Sequence, residues 1–234
     1  MKVAVITGAG GGLGRVFSTA LAADGWAIAA VGRTEKTLQD TLGECADGDH
    51  RAFICDITDA ESVRSTFDQI VAHYGHINVL INNAGVPGPT GRIDSIDIEQ
   101  FDAAVATNLR GTFLCSQAAF AHMADTGGGR IINNGSIAAH SPRPAAATYA
   151  ATKAAIASLT TSLSLDGRGL GIVATELDIG NAKTDLLGAF TGEEPMFHAI
   201  EAGRMIVALA NLPLTVSADQ VTLTAAGMPY LGRG

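Results

Sequence analysis

Charged residues are scarce in this chain. Asp, Glu, Lys and Arg make up 16% of its 234 residues, whereas about 25% is typical of soluble domains. This scarcity argues against disordered regions and long charged helices, because both depend on charged side chains. The charge is also unbalanced, with 15 basic against 23 acidic residues and a net charge of −8. Since a nucleic-acid partner requires a basic face, the composition argues against one.

Cysteines and long apolar runs are also few. Cys45, Cys55 and Cys115 lack the paired spacing of a zinc ribbon or a disulfide framework. No apolar run approaches the ~20 residues of a membrane span, and the first apolar run, 3–6, is too short for a signal-peptide core. The sequence therefore predicts a soluble cytoplasmic protein with neither a metal site nor a membrane partner.

Hydrophobic residues, 47% of the chain, are arranged as short apolar runs that alternate with stretches of helical periodicity. This alternation predicts right-handed βαβ crossovers and an α/β fold: a single Rossmann-type, doubly wound parallel sheet with helices on both faces, in one domain spanning 1–234. Ligands bind such sheets at the carboxyl ends of the strands. The predicted strands are 3–6, 27–31, 53–54, 77–81, 130–133, 172–177 and 221–225.

A glycine-rich turn joins the first predicted strand to the first helix. Glycine allows the backbone to approach a pyrophosphate closely, and a helix N-terminus offers free N–H groups and a partial positive charge. The turn therefore predicts dinucleotide binding, and an ordinary flexible turn is the alternative. Its candidate cofactor-binding residues are Thr7, Gly8, Gly10, Gly12, Leu13 and Gly14.

The second predicted strand ends at Gly32 and Arg33. Dinucleotide folds place here an acid for the ribose 2′-hydroxyl of NAD(H), or an arginine for the 2′-phosphate of NADP(H). Arg33 therefore favours NADP(H) over NAD(H). In the alternative interpretations Arg33 is solvated or pairs with Glu35, or Glu35 itself approaches a ribose.

Tyr149 and Lys153 are four residues apart on a predicted alanine-rich helix, so they share one helical face. A neighbouring cation favours the phenolate form, which allows a tyrosine to exchange protons near neutral pH. Ser136, just after the fifth strand, offers a hydroxyl for a carbonyl or alcohol oxygen. A Tyr/Lys pair alone is more often a surface accident, but together with the glycine turn and this serine it indicates an active site.

These motifs resemble the short-chain dehydrogenase/reductase (SDR) family over essentially the whole chain. Besides the glycine turn and the Ser136, Tyr149 and Lys153 set, the resemblance rests on Asp56, the segment 82–85 and Asn108, all in the family's order. It implies that Tyr149 is the catalytic acid/base and that Ser136 positions the substrate oxygen.

The resemblance gives further roles to individual residues. Lys153 activates Tyr149 and binds the nicotinamide ribose, and Asn108 holds a water that relays protons to Lys153. Asp56 can also cap a helix, and residues 82–83 can also form a structural turn; both structural roles are compatible with contacts to the cofactor. The other implied cofactor contacts are Asp56 and Ile57 at the adenine, Asn83, Ala84 and Gly85 along the cofactor, and Ile179, Gly180 and Thr184 after the sixth strand.

The sequence departs from the family pattern at the sixth strand. Ile179 and Gly180 stand where the family usually has Pro-Gly, and Thr175 stands where it has asparagine. Asp178 is an unusual charge beside the nicotinamide position. The last residues, 228–234, lack the common Asp-Gly-Gly ending. These departures indicate a side branch of the family, whose substrate does not follow from the resemblance.

The leading hypothesis is hydride transfer between NADP(H) and a secondary alcohol or its ketone. The small-molecule pocket is expected among Ser136, Tyr149, residues 140–145 and a substrate loop near 185–200, with residues 87–90 completing its wall. Within this region, His140 and Arg143 bind an acidic substrate group or belong to a solvated loop.

Two other functions fit parts of the sequence. A catalytically silent NADP-binding sensor or scaffold would keep the fold without turnover, and an extended epimerase or dehydratase would need a larger C-terminal portion. Long predicted helices at 98–123 and 147–165 carry small residues such as Ala151 and Ala154, which permit close helix approach. They predict a homodimer or homotetramer.

Overall fold

The computed structural model describes residues 1–184 and 194–228. Its centre is a seven-stranded sheet. The strands of this sheet are β1 (Val3–Thr7), β2 (Ala27–Gly32), β3 (Arg51–Ile54), β4 (Val79–Asn82), β5 (Gly129–Asn134), β6 (Ile172–Ile179) and β9 (Gln220–Leu223), and a separate two-residue pair is formed by β7 (Ala182–Lys183) and β8 (Phe197–His198). The order in the sheet is β3-β2-β1-β4-β5-β6-β9, and every neighbouring pair is parallel. The predicted doubly wound α/β fold is therefore confirmed.

Helices cover both faces of the sheet, and each face has its own buried core. One core includes Phe67, Cys115 and Met123, and the other includes Phe17, Leu21 and Ile206. Because β1 is buried along its whole length, its continuous apolar run is the pattern expected of a central parallel strand. The helices are α1 (Gly12–Ala23), α2 (Glu35–Gly43), α3 (Ala60–Tyr74), α4 (Ile98–Val105), α5 (Thr112–Thr126), α6 (Ala147–Gly167) and α7 (Ile200–Ala210).

The strand order reverses between β1 and β4, which both lie at the centre of the sheet. Parallel sheets open a crevice at this position, outside the carboxyl ends of the strands. Thr7 at the end of β1 joins the two strands, because its Oγ1 accepts hydrogen bonds from the backbone N–H groups of Asn83 (3.0 Å) and Ala84 (3.1 Å). The two strand ends are therefore held together at the floor of the crevice.

Several predicted boundaries differ from the observed ones. The helix predicted over 98–123 is divided by a π-helical turn at Ala106–Gly111, and β6 extends to Ile179, two residues beyond its predicted end. Most of the predicted substrate loop lies outside the described residues, since 185–193 are not described. Within the described ranges, no helix is long and apolar enough to cross a membrane.

Candidate active site

The glycine turn gives the groove its backbone surface. Gly8 and Gly12 have φ values of 64° and 51°, a backbone region that glycine occupies without steric cost. Gly11 precedes α1, and no side chain caps this helix. The first N–H groups of α1 therefore remain available to an anion, as in dinucleotide-binding turns.

Three residues of the predicted cofactor set support the turn instead of lining the groove. A Cβ on Gly10 would lie 2.4 Å from Thr37 Oγ1, and a Cβ on Gly14 would lie 2.1 Å from the Gly8 carbonyl oxygen. Thr7 is buried beneath the turn. Gly10 thus allows α2 to pack closely against the turn, and Gly14 allows α1 to pack closely against the Gly8 carbonyl. The groove itself is lined by Gly8, Gly12 and Leu13.

The groove runs along the strand ends and encloses about 600 Å³. It brings together residues that lie far apart in the sequence, from Gly8 to Thr184. Seven further residues line the groove that were not predicted as cofactor contacts, and each is adjacent to a motif residue or on a neighbouring turn. They are Gly11, Gly32, Cys55, Thr58, Val86, Thr107 and Asn134. The predicted residues in its wall are Gly8, Gly12, Leu13, Arg33, Asp56, Ile57, Asn83, Ala84, Gly85, Tyr149, Lys153 and Thr184.

Arg33 and Asp56 lie at the end of the groove near β2 and β3. The backbone N–H and hydroxyl of Thr58 donate to Asp56 Oδ1 at 2.9 and 2.8 Å. These hydrogen bonds, and to a smaller extent the Arg33 charge, lower the pKa of Asp56. Arg33 is exposed, and among the described residues it forms no salt bridge with Glu35. Its guanidinium therefore remains open to an incoming anion.

Tyr149 and Lys153 lie on α6 where the groove meets a second pocket. Lys153 Nζ lies 5.6 Å from the centre of the Tyr149 ring, and it donates a 2.6 Å hydrogen bond to the Asn134 carbonyl at the end of β5. The Asn134 side chain in turn donates to Asn83 Oδ1 at 3.1 Å. Asn134 thus connects the tyrosine and lysine helix to the glycine turn through Asn83.

Asn108 does not line the groove. Its Oδ1 accepts from the Val86 N–H (2.8 Å), and its Nδ2 donates to the Val86 carbonyl (2.9 Å) and to Thr152 Oγ1 (3.2 Å). It lies in the π-helical turn, a local widening that is frequent at functional sites. Its side chain therefore fastens the segment after β4 to α6.

The second pocket adjoins the groove and encloses about 160 Å³. Leu13, Asn134, Tyr149 and Thr184 belong to both cavities. Ser136 lines it, and the Ser136 hydroxyl accepts from the Ala138 N–H at 3.2 Å, which leaves its own proton free to donate. The other lining residues are mostly apolar: Pro87, Thr90, Gly135, Ile137, Ala138, Arg143, Ala146, Ile179, Gly180, Asn181 and Ala182.

The structure places four further residues of the predicted site region at or near this second pocket. Ile179 and Gly180 line the second pocket and not the cofactor groove. Arg143 and His140 were the residues considered for binding an acidic substrate group. Arg143 lines the pocket and forms an ion pair with Glu194. His140 Nε2 lies 3.1 Å from Asp178 Oδ2. The pocket therefore presents mostly apolar walls, with the Ser136 hydroxyl and the Tyr149 phenol among its few polar groups.

The parallel sheet has a glycine turn where its strand order reverses, and the helix that carries Tyr149 and Lys153 lies beside this turn. This combination defines a nicotinamide-dependent oxidoreductase of the Rossmann class. The short chain dehydrogenase family model matches residues 2–194. The chain therefore belongs to the short-chain dehydrogenase/reductase family.

Similar proteins include enzymes that act on alcohols or ketones. The chain is 31% identical to cis-4-hydroxycyclohexanecarboxylate dehydrogenase of Sinomonas cyclohexanicum, over 82% of this chain and 78% of that protein. A 3-ketoacyl-(acyl-carrier-protein) reductase from Brucella melitensis complexed with NADH is 25% identical with a TM-score of 0.90, covering 96% and 97% of the two chains. An alcohol dehydrogenase from the archaeon Thermococcus sibiricus complexed with 5-hydroxy-NADP is 26% identical with a TM-score of 0.88, covering 98% of each chain.

Proposed function

We propose that the protein transfers a hydride between NADP(H) and a small secondary alcohol or its ketone, with Tyr149 as the acid/base. The observation that carries this proposal is the position of Tyr149, which lines both the cofactor groove and the apolar pocket. A proton donor at the junction of the two cavities is where a carbonyl beside a bound nicotinamide would need one.

The groove fits a dinucleotide. The close contacts at Gly8 and Gly14 leave no room for side chains, and α1 points uncapped N–H groups toward the groove. Asp56, Ile57 and the segment 83–85 form the rest of its walls. When bound, the nicotinamide supplies or accepts the hydride.

The cofactor preference rests on Arg33. Its exposed guanidinium at the end of β2 is suited to a 2′-phosphate, while Asp56 is held ionised by Thr58 nearby. The similar structures bind NADH in one case and an NADP derivative in the other. The preference for NADP(H) is therefore proposed from this chain's own residue.

Ser136 and Lys153 complete the proposed chemistry. Ser136 donates its hydroxyl proton to the substrate oxygen, and Tyr149 gives that oxygen a proton in reduction or takes one in oxidation. Lys153 places its ammonium 5.6 Å from the centre of the Tyr149 ring. Apolar walls and a volume of about 160 Å³ favour small hydrophobic substrates, since pockets for drug-sized ligands are larger.

A panel of small ketones and secondary alcohols tests the proposal, with the absorbance of reduced nicotinamide followed for both cofactors. Turnover with small apolar ketones and NADPH is expected. Tight NADPH binding without turnover on any ketone or alcohol would instead support the silent sensor or scaffold, which Ser136, Tyr149 and Lys153 argue against.

We also propose a homodimer or homotetramer. Ala151 and Ala154 are exposed on α6, and the large apolar side chains of Phe113 on α5 and Leu165 on α6 are 47% and 54% exposed. Light scattering at micromolar concentration tests this association. A stable, active species at the chain mass of 23.9 kDa would contradict it.

A further inference from the structure

Strand β6 carries two acidic residues into the interior of the protein. Glu176 is 4% exposed and Asp178 is fully buried. Because side chains alternate along a strand, residues two apart point to the same face. Buried carboxylates are costly unless they are paired with a cation or coordinate a metal ion. Within the described ranges no lysine or arginine forms a salt bridge with either carboxylate, and only His140 lies that close to one of them.

Each carboxyl group of this pair keeps one oxygen without a hydrogen bond. Among the described residues, Glu176 Oε1 and Asp178 Oδ1 are buried and have no donor. Both oxygens border Gly135, which follows β5. A Cβ on Gly135 would lie 3.0 Å from the Glu176 oxygen and 2.3 Å from the Asp178 oxygen. Glycine at this position therefore leaves the space that the two oxygens need.

At the outer side of the pair, three polar atoms form a triangle. Gln220 Nε2 lies 2.8 Å from Asp178 Oδ2 and 2.7 Å from His140 Nε2, and these last two atoms are 3.1 Å apart. With Asp178 ionised, the three contacts cannot all be hydrogen bonds. If His140 Nε2 carries a proton, two donors meet at His140 and Gln220, and if it does not, two acceptors meet at His140 and Asp178.

A cation between these atoms would remove the conflict, and a metal ion does so more completely than a proton. A single proton serves one pair of atoms, so a proton on Asp178 Oδ2 would leave Asp178 Oδ1 and Glu176 Oε1 without a donor. A metal ion accepts several lone pairs at once. Half a turn of the Gln220 amide exchanges its nitrogen for its oxygen, which adds a further lone pair facing His140 and Asp178.

The separations in the triangle are those of metal ligands. Atoms that each lie about 2.1 Å from one ion, at right angles to each other, are about 3 Å apart. The three measured separations of 2.7, 2.8 and 3.1 Å agree with this spacing.

Glu176 reaches the same place. One ligand atom from each of His140, Glu176 and Asp178 lies within 4.8 Å of the other two, and no other group of this kind occurs in the part of the chain that the structure describes. Opposite ligands of one ion are about 4.2 Å apart, so the side chains would close by about half an ångström at most. Glu176 and Gln220 are register partners on β6 and β9, which fixes their backbones side by side.

The donor atoms indicate which class of ion the cluster would take. Imidazole nitrogen is a ligand for Zn²⁺ and other transition ions, and carboxylate or amide oxygen suits Mn²⁺. Mg²⁺ and Ca²⁺ instead take oxygen ligands alone. The mixture of one nitrogen with several oxygens therefore favours a divalent transition-metal ion.

We propose that one divalent transition-metal ion is bound by the cluster of His140, Glu176, Asp178 and Gln220. None of the four lines the groove or the second pocket, so the ion has a structural role: it ties the segment after Ser136 to the sheet edge formed by β6 and β9. The sequence predicted no metal site from its cysteine spacing, whereas this cluster contains no cysteine and joins His140 to Asp178 across 38 positions.

Protein treated with a chelator is the reference form for the test. In that form burial, then the charge and the hydrogen bond of Asp178, raise the pKa of Glu176 to about 7, and the Lys153 ammonium opposes them. A bound divalent ion displaces such a proton, because metal ligands must be deprotonated.

Calorimetric titration of the full-length, chelator-treated protein with MnCl₂, ZnCl₂ and MgCl₂ tests the site. We expect one Mn²⁺ or Zn²⁺ to bind per chain and to raise the melting temperature, since an ion that binds only the folded state stabilises it. Mg²⁺ is expected to bind at least ~10-fold more weakly. Equal affinity for Mg²⁺ would overturn the transition-metal assignment.

Two variants and a matched control locate the ion. Asp178→Asn should weaken binding by at least ~100-fold, because loss of even an outer partner of a ligand costs 10–100-fold. His140→Ala, at the exposed end, should weaken it by at least ~10-fold and serves if Asp178→Asn does not fold. The control is His122→Ala, since His122 Nε2 lies 3.3 Å from Asp68 Oδ1 but has no third ligand among the described residues. It should bind as the wild type does.

Three results would overturn the site. They are absence of Mn²⁺ and Zn²⁺ binding in the wild type, wild-type affinity in a folded Asp178→Asn or His140→Ala protein, and loss of binding in His122→Ala. Neither cofactor nor substrate enters these titrations, so their outcome is independent of hydride transfer.

Discussion

The two sides of the active-site groove differ in the chemical groups that form them. On the glycine-turn side, between β1 and α1, the surface is backbone, and its close contacts are satisfied by Thr7 and Asn83. On the β6 side, buried carboxyl groups lie behind Ser136, and two of their oxygens lack donors among the described residues. The first side is therefore shaped by backbone packing, whereas the second contains buried carboxyl groups.

The difference shows where this chain departs from its family. The glycine-turn side follows the family pattern because backbone approach to a pyrophosphate allows little variation. The β6 side contains Thr175, Glu176 and Asp178 in a strand that the fold would accept as wholly apolar. Residues kept there at an energetic cost are candidates for function.

Tyr149→Phe tests the junction of the two sides and should have the largest effect. We expect kcat to fall at least ~100-fold, the scale of general acid–base catalysis, with cofactor affinity nearly unchanged, because only the phenolic proton is removed. Steady-state kinetics and cofactor titration measure the two quantities. The control is Tyr74→Phe, which removes a hydroxyl bonded to the Ile28 and Asp49 carbonyls far from the groove and should leave kcat unchanged. A Tyr149→Phe enzyme that keeps more than half of the wild-type kcat would mean that Tyr149 is not the acid/base.

Arg33→Ala tests charge recognition at the end of β2. We expect NADPH binding to weaken by about 1.5–3 kcal/mol, the value of a hydrogen bond to a charged group, with a much smaller loss for NADH. Fluorescence titration of both cofactors measures the difference. Arg64→Ala on α3, whose exposed side chain pairs with Glu61, serves as the control; equal losses for the two cofactors in Arg33→Ala would mean that Arg33 does not contact the 2′-phosphate.

Gly14→Ala tests the shape-determined side. Its Cβ would lie 2.1 Å from the Gly8 carbonyl oxygen and 2.7 Å from Asn83 Nδ2, so we expect the free energy of unfolding to drop by about 1–3 kcal/mol, as in overpacked sites. Denaturant unfolding measures it. Gly11→Ala is the matched control, since a Cβ there meets no atom within 4 Å. Equal stability of the two variants would refute the packing role of Gly14.

Glu176→Gln tests the charged side through the pH dependence of stability. Burial and Asp178 raise the pKa of Glu176 from 4.5 to about 7, so between these values the unfolded chain loses its proton while the folded chain keeps it. The stability of the wild type relative to Glu176→Gln should therefore fall with rising pH across this window, by about 1 kcal/mol per pH unit, and level off above it.

Unfolding of both proteins in urea at several pH values measures this slope. Glu201→Gln on α7, an exposed residue paired with Arg204, should show no such trend relative to the wild type. A constant difference between the wild type and Glu176→Gln across the window would mean that Glu176 is ionised in the folded protein.

Sequence reasoning worked best where local chemistry is decisive. The apolar run of β1 and the glycines before α1 predicted a strand, a turn and a helix that the structure contains. The sequence was less informative about which motif residues border the groove. Gly10 and Gly14 pack against Thr37 and Gly8, and the Asn108 side chain bonds to Val86, because tertiary packing decides these contacts.

The sequence by itself determined the alternation of strands and helices, and with it the parallel sheet and the family, because hydrophobic period and turn chemistry are local properties. Only the tertiary structure showed that Glu176, Asp178 and His140 meet behind Ser136, and that Tyr149 borders two cavities. Those contacts depend on which strands become neighbours and on which way each side chain points. Residues as distant as Gly135 and Asp178 come together through strand pairing, which no local pattern encodes.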